Sequence, residues 1–301
     1  MKISHEVPLT LLKESRVFND YDYALVHLFA KYPEYYRFFE ESLKMGRTVY
    51  LDNSLYELGK SFDPGEFLKW INKLKPTYYI IPDTFWDAKG TMYQAMDWFL
   101  NWAPKLECNT KSIGVAQGDT YEAIAKSYRF MSSVADMVAF TFKFAPDFVS
   151  NSGHAFQEMF SNTSKACGIV EVNIDLNGEN ESTIRDAMIR YTLLRQLKVD
   201  GIIDTSKPHH LLGMQNTLFL YSIAKNCPWV TSIDTSNPII CGMIEKPYVY
   251  KSGVVGNPEA PKPKEVLADF FEVEPNGRQF QIIRDNVQVF NRLAKPLTSD
   301  I

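Results

Sequence analysis

The chain has 301 residues, 45% of them apolar and 23% charged, with a formal net charge of −4. That apolar content supports a packed core of one large or two ordinary domains and excludes a disordered chain. The mildly acidic balance argues against a protein built to coat nucleic acid, though not against an enzyme that grips it through a local basic patch.

No run of about 18 uncharged apolar residues is present to span a membrane. The N-terminal MKISHEVPLTLLKESR lacks the regions of a signal peptide. Cys108, Cys167, Cys227 and Cys241 form no C-x2-C or C-x-C pair. A cytoplasmic protein with free thiols is expected.

Tyr23–Phe29 (YALVHLF) is the first predicted strand, followed by a helix over Pro33–Met45. Thr48–Leu51 is the second, ahead of the helix Pro64–Leu74; Tyr78–Pro82 is the third, ahead of Ala88–Trp102, whose apolar residues recur at helical spacing. Ser112–Ala116 precedes the helix Tyr121–Ser133, and Met137–Phe142 is a fifth strand. Gly168–Ile174, His209–Leu212 and Val230–Ile233 complete the set, separated by helices over Thr183–Leu197 and Asn216–Lys225.

Strict alternation implies parallel strands with right-handed crossovers. Eight such units predict an α/β fold, a closed (β/α)8 TIM barrel in preference to an open doubly wound sheet. No glycine-rich nucleotide turn follows the first strand to favour the latter. Ala145–Lys165 fits the alternation poorly and reads as an inserted loop or lid. Lys246–Lys264, rich in proline, glycine and lysine, reads as an extended connector. Helices over Glu265–Glu272 and Phe280–Leu293 then brace the barrel. The expected division is a barrel over 1–245 and a C-terminal extension over 246–301.

Three predicted strands end on an aspartate: Asp52, Asp83 and Asp234. Gln117–Gly118 follows the fourth strand in the same way. Residues just past the strands line the active face of such a barrel. Each aspartate alone could simply cap the next helix. Together they suggest acid/base chemistry, a divalent metal, or recognition of an N–H-rich ligand such as a purine base. Metal is the weaker option, since His27, His154, His209 and His210 show no ligand spacing. Paired carboxylates also serve glycosidic-bond chemistry, one attacking the sugar carbon and the other handling the proton.

Trp70, Trp98, Phe99 and Trp102 sit at helical spacing and read as core. Phe85 and Trp86 follow Asp83 on the rim, where base stacking and loop packing are both open. His209 and His210 are placed at the strand's opposite end and read as structural. Lys143, Lys246, Lys251, Lys262 and Lys264 could contact phosphates or simply be solvated.

In this order the motifs resemble the guanine transglycosylase superfamily, (β/α)8 enzymes that exchange guanine for a 7-deazaguanine in nucleic acid. ALVHLFAKYP stands where the family reads NTYHL and a proline, and DNSLYE (Asp52–Glu57) is similar to DSGGFQ. PDTFWDAKG stands for FDECTPYPA, and GVAQGD (Gly114–Asp119) for GIVQGG. KPHHLLGMQ (Lys207–Gln215) is similar to KPRYLMGVG, and SIDTSNP (Ser232–Pro238) to FDCVLPTR.

The resemblance implies that Asp234 is the nucleophile at C1′, that Asp52 is the general acid/base, and that Asp83 grips the N1–H and amino group of the base. Gln117 and Gly118 would bind its O6 side. Asn53, which replaces a motif residue, and Phe140, which opens FTFKFAP where the family reads GGLAVGE, are expected against the base. The family's zinc-ligand cysteines and the arginine of PTR are missing. The compact pattern is most similar to bacteriophage DNA 7-deazaguanine transglycosylases. They imply DNA and a free 7-deazaguanine (preQ0 or a relative) as partners, no cofactor, no metal, no membrane, and a host-cytoplasmic site. A homodimer is left open. A tRNA-guanine transglycosylase, a nucleosidase and a non-catalytic nucleic-acid-binding subunit are the alternatives.

Overall fold

The computed structural model describes residues 1–166, 179–214, 217, 219–251, 254–256 and 270–295. Eight strands form one parallel sheet: β1 (Lys2–His5), β2 (Asp22–Leu25), β3 (Val49–Asp52), β4 (Tyr78–Ile80), β5 (Lys111–Ala116), β6 (Met137–Phe140), β7 (His209–Leu211) and β8 (Val230–Thr235). Their order around the sheet is β1-β8-β7-β6-β5-β4-β3-β2. The two ends, β1 and β2, are brought together by the residues leading into β2. Asp20 N–H donates to the Ile3 carbonyl at 2.8 Å, and Asn19 bonds both the N–H and the carbonyl of His5 at 2.7 and 3.0 Å. The result is a nearly closed (β/α)8 TIM-barrel-like fold. Apolar runs such as VYL, YYI and MVAF suit strands covered on both faces, barrel interior within and helices without.

The set of eight differs from the predicted one at its start. KISH at β1 is short and carries a lysine and a histidine, so it shows neither an apolar run nor a clean alternation. The strand expected over Tyr23–Phe29 ends at Leu25, and Leu28–Lys31 is already a helical turn. Gly168–Ile174 lies outside the described residues; β6 pairs directly with β7, Val138 against His209 and Phe140 against Leu211.

Local signals explain several helices. Asp63 caps Pro64–Leu74 by accepting from Glu66 N–H, with proline in the first turn. Asp87 caps Ala88–Asp97, which runs on through a π-helical turn over Trp98–Trp102, and Thr120 caps Tyr121–Val134. Helix Glu179–Val199 leads from β6 back to β7.

The segment expected as a loop or lid over 145–165 is instead largely helical, Phe148–Asn151 and His154–Ala166. Phe148 and Phe156 are buried there and meet each other at 5.6 Å between ring centroids. Tyr121 stacks on Phe156 at 5.2 Å. These few aromatics anchor helices whose many polar residues hide the periodicity.

The C-terminal helix Gly277–Ala294 starts at a capping box made by Asn276 and Gln279. It packs on the helix Asn237–Met243 that follows β8. The backbones come so close that a Cβ on Gly242 would lie 2.7 Å from the Ile283 nitrogen. Asn286 fastens the two by donating to the carbonyls of Pro238 and Lys246. Within the expected connector, Val249–Lys251 and Val254–Gly256 pair as an antiparallel hairpin. Most of the helix expected over 265–272 lies outside the described residues. Among those described, no helix is long and apolar enough to cross a membrane.

Candidate active site

None of the three strand-end aspartates is spent on capping. The N-cap side chains that bond their helices are Asp63, Asp87, Thr120 and Asn276. Asp52, Asp83 and Asp234 instead line one cavity at the carboxyl ends of the strands, with Glu6, Tyr23, Asn53, Tyr56, Glu57, Phe85, Gln117, Thr141, Phe142 and Gly213 among its walls. In the strand order β4 stands four places from β8, so Asp83 and Asp234 occupy opposite sides of the barrel mouth.

Asp83 is a buried carboxylate held by two amides. Asn53 Nδ2 donates to Oδ1 and Gln117 Nε2 to Oδ2, both at 2.8 Å. Its backbone is tied to Ser61, whose hydroxyl accepts from Asp83 N–H at 2.9 Å and donates to the Asp83 carbonyl at 2.7 Å. Asn53 is itself fixed, donating to the Ile81 carbonyl and accepting from Leu55 N–H, each at 2.9 Å. The amides stabilise the ionised form, but burial outweighs them and pushes Asp83 up to about 6.

Asp234 rests on a different pair of donors. His210 Nε2 lies 3.0 Å from Oδ1, and Gly213 N–H reaches both oxygens at 3.1 Å. A carboxylate can only accept, so Nε2 carries a proton towards it, and Nδ1 lies 3.0 Å from the Ser232 hydroxyl, which can donate or accept. The imidazole is packed inside the barrel against Tyr23, Tyr50 and Tyr21, with ring centroids 5.9, 5.6 and 6.4 Å away. Gly213 sits at φ +54°, where a Cβ would come within 2.6 Å of the Phe142 ring; glycine there lets the N–H point at Asp234. Oδ2 therefore has only the shared Gly213 N–H, while Oδ1 also has the imidazole.

Asp52 accepts from the Tyr23 hydroxyl and from Ser54 N–H. Those bonds favour its charged form, yet burial dominates, and with Asp234 and Asp83 nearby it is pushed up to about 7. Glu6, the first residue past β1, is pushed up to about 8 by burial and then by Asp234 and Asp52. Glu57 is raised well above the usual carboxylate range by burial, then by Asp52, Glu6 and Asp234. Five carboxylates thus share one cavity, and the described lining contains no lysine or arginine. Such a set can hold protons at neutral pH and still offer an ionised group at its edges.

Three expectations are corrected. His210 is not a residue of the far end: alternation along β7 sends it into the barrel beside Asp234, while His209 points outward and stacks on Tyr128 and Phe140. Phe140 shares that outer layer and is fully buried, stacked on Tyr128 at 5.7 Å, so Thr141 and Phe142 line the cavity in its place. Gly118 also lies off the cavity wall. A Cβ there would stand 2.7 Å from the Ile124 nitrogen, so its place is a close packing of backbone on the helix Tyr121–Val134.

Asn53, Asp52, Asp83, Gln117 and Asp234 do come together. Tyr23, Glu6, Glu57 and Gly213 were missed. Glu6 follows the unrecognised β1, while the glycine after HHLL was the one available signal for Gly213. Among the described residues no group of three or more histidine, cysteine, aspartate or glutamate side chains is placed to hold a metal ion. No model of a known protein family matches the chain, and no curated protein matches it.

Proposed function

We propose that the protein is a base-exchange transglycosylase that replaces guanine in DNA by a 7-deazaguanine. The observation that carries this reading is one cavity lined by Asp234, whose Oδ2 has fewer donors than its Oδ1, by a proton-holding Asp52 and by an amide-fixed Asp83. The motif resemblance points the same way. Ser54 adds to it, holding a left-handed φ of +58° where the similar motif carries a glycine.

In the first step Asp234 Oδ2 attacks C1′ of a deoxyguanosine. The C1′–N9 bond breaks with its electron pair on the base, and Asp52 gives that base a proton. The sugar is left as an ester of Asp234. In the second step a 7-deazaguanine takes the vacated place, and Asp52, now ionised, removes its N9 proton. N9 attacks C1′, and the ester bond returns its electrons to Asp234. Two inversions restore the β configuration.

Asp83 has a second lone pair on each oxygen beyond those used by Asn53 and Gln117. It can accept the N1–H and amino group of guanine in charge-assisted bonds. Adenine has no N1–H and would leave this buried carboxylate short of a donor. The target base has to leave the duplex to reach the cavity, so flipping or a single-stranded substrate is expected.

The test is incorporation of labelled guanine into DNA and, separately, tRNA by the purified protein without added metal. Label should enter DNA. Asp234→Asn should abolish incorporation while complex formation with DNA survives. Label entering tRNA alone would reassign the polymer, and label in neither would refute base exchange.

A further inference from the structure

A polyanion brought to this cavity meets carboxylates, so the strand needs a foothold beside it. Phe85 lines the cavity edge two residues after Asp83 and forms a turn with Trp86; both rings are half-buried. Their centroids lie 6.4 Å apart. The Lys143 ammonium, from the loop after β6, stands 5.7 Å from the first ring and 5.3 Å from the second.

Trp86 has a φ of +62°. For a bulky side chain that conformation is strained, and it persists only where the surroundings impose it. Two bonds impose it here. The indole N–H donates to the Lys143 carbonyl at 3.1 Å, and the backbone N–H lies 3.4 Å from Gln117 Oε1. The same Gln117 donates through Nε2 to Asp83. The indole is thus fixed in relation to the carboxylate that would read the base. A turn needing only a left-handed residue would be served by glycine without strain.

We propose that Phe85, Trp86 and Lys143 are the docking surface for the single-stranded segment next to the exchanged guanine, one flanking base stacking on the rings and its phosphate meeting the ammonium. The inference rests on the function proposed above and names how its polymer is held. Aromatic faces beside a cation are the usual equipment for gripping single strands without regard to sequence.

The experiment is binding of fluorescent single-stranded oligonucleotides containing one guanine, measured by anisotropy at several salt concentrations. Trp86→Gly should weaken binding about tenfold or more, the loss of one base–aromatic stack. Its thermal unfolding midpoint should fall only modestly, because relief of the left-handed strain offsets part of the lost indole packing. Phe85→Ala should weaken binding in the same sense. Lys143→Gln should lower the slope of log K against log salt by about 0.7, the loss of one phosphate contact.

Binding within about twofold of wild type in both ring variants would overturn the platform while leaving guanine exchange intact. Wild-type protein that binds no oligonucleotide would overturn the platform together with the proposed function.

Discussion

Replacing Asp52 by asparagine should stabilise the folded protein, by an amount that grows with pH. Burial beside Asp234 and Asp83 lifts Asp52 to about 7 from an ordinary 3.8. Between about pH 5 and 7 the folded chain holds a proton that the unfolded chain has released, so wild-type stability falls as pH rises, at about 1.4 kcal/mol per pH unit for this group. Above about pH 7 the group is ionised in both states and the loss levels off. Asparagine does not titrate, so its advantage over aspartate should grow by about 3 kcal/mol between pH 5 and pH 8.5.

The geometry permits the exchange of groups. The amide oxygen can accept from Ser54 N–H, and the amide nitrogen can donate to the Tyr23 oxygen, whose hydroxyl is free to rotate. Loss of the Asp52 charge should also ease ionisation of Glu6 and Glu57, both of which it holds up. Urea unfolding at the two pH values measures the difference. A gap that stays constant with pH, or a variant less stable than wild type at the higher pH, would refute the assignment of Asp52 as a strained, proton-holding group. Under the proposed mechanism the same variant loses exchange activity, the trade expected where stability is given up to function.

Three further outcomes follow from the geometry. His210→Phe keeps the ring packing but removes the donor to Asp234 Oδ1; kcat for guanine exchange should drop roughly 10- to 100-fold with KM little changed, matching about 1–3 kcal/mol for an unmade bond. Gly213→Ala puts a methyl group against Phe142 at a left-handed φ, so the protein should lose about 1–3 kcal/mol by thermal unfolding together with exchange activity. Asn53→Leu removes one of the two donors on Asp83, raising that carboxyl further; calorimetric affinity for guanine should fall more at about pH 6 than at about pH 8, because the base needs the ionised form.

Much of the barrel was legible because its strands are covered on both faces and several of its helices open at a capping side chain. VYLD, YYIIPD and WVTSID show the buried runs and their ends, and Asp63, Asp87 and Thr120 open helices where a cap belongs. β1 escaped because KISH borrows its stability from β8 alongside it, in register from Lys2–Ser232 to His5–Thr235. With β1 unseen, Glu6 had no rim to stand on. His210 failed differently. Its strand was recognised, but which of two adjacent histidines faces inward depends on the pleat, and β7 carries an irregularity against β8 between those very residues. Phe140 was lost to the same ambiguity one strand away.

The carboxylates of the cavity are chemically alike, and their surroundings divide the labour among them. Glu6 Oε1 is buried without a hydrogen bond among the described residues, which suits a protonated acid and little else at neutral pH. Asp52 has a hydroxyl and one backbone N–H, enough to hold it near neutrality, where a group can both give and take a proton. Asp83 has two rigid amides, which fix its plane while leaving lone pairs open for a planar ligand. Asp234 has an imidazole and a backbone N–H converging mainly on Oδ1. That arrangement leaves Oδ2 with fewer donors than Oδ1, which suits the nucleophile of the proposed mechanism. A random acidic surface would not sort its donors in this way. The three aspartates stand at or just beyond the strand ends because the barrel mouth, where strands give way to loops, lets each be met by a different set of donors.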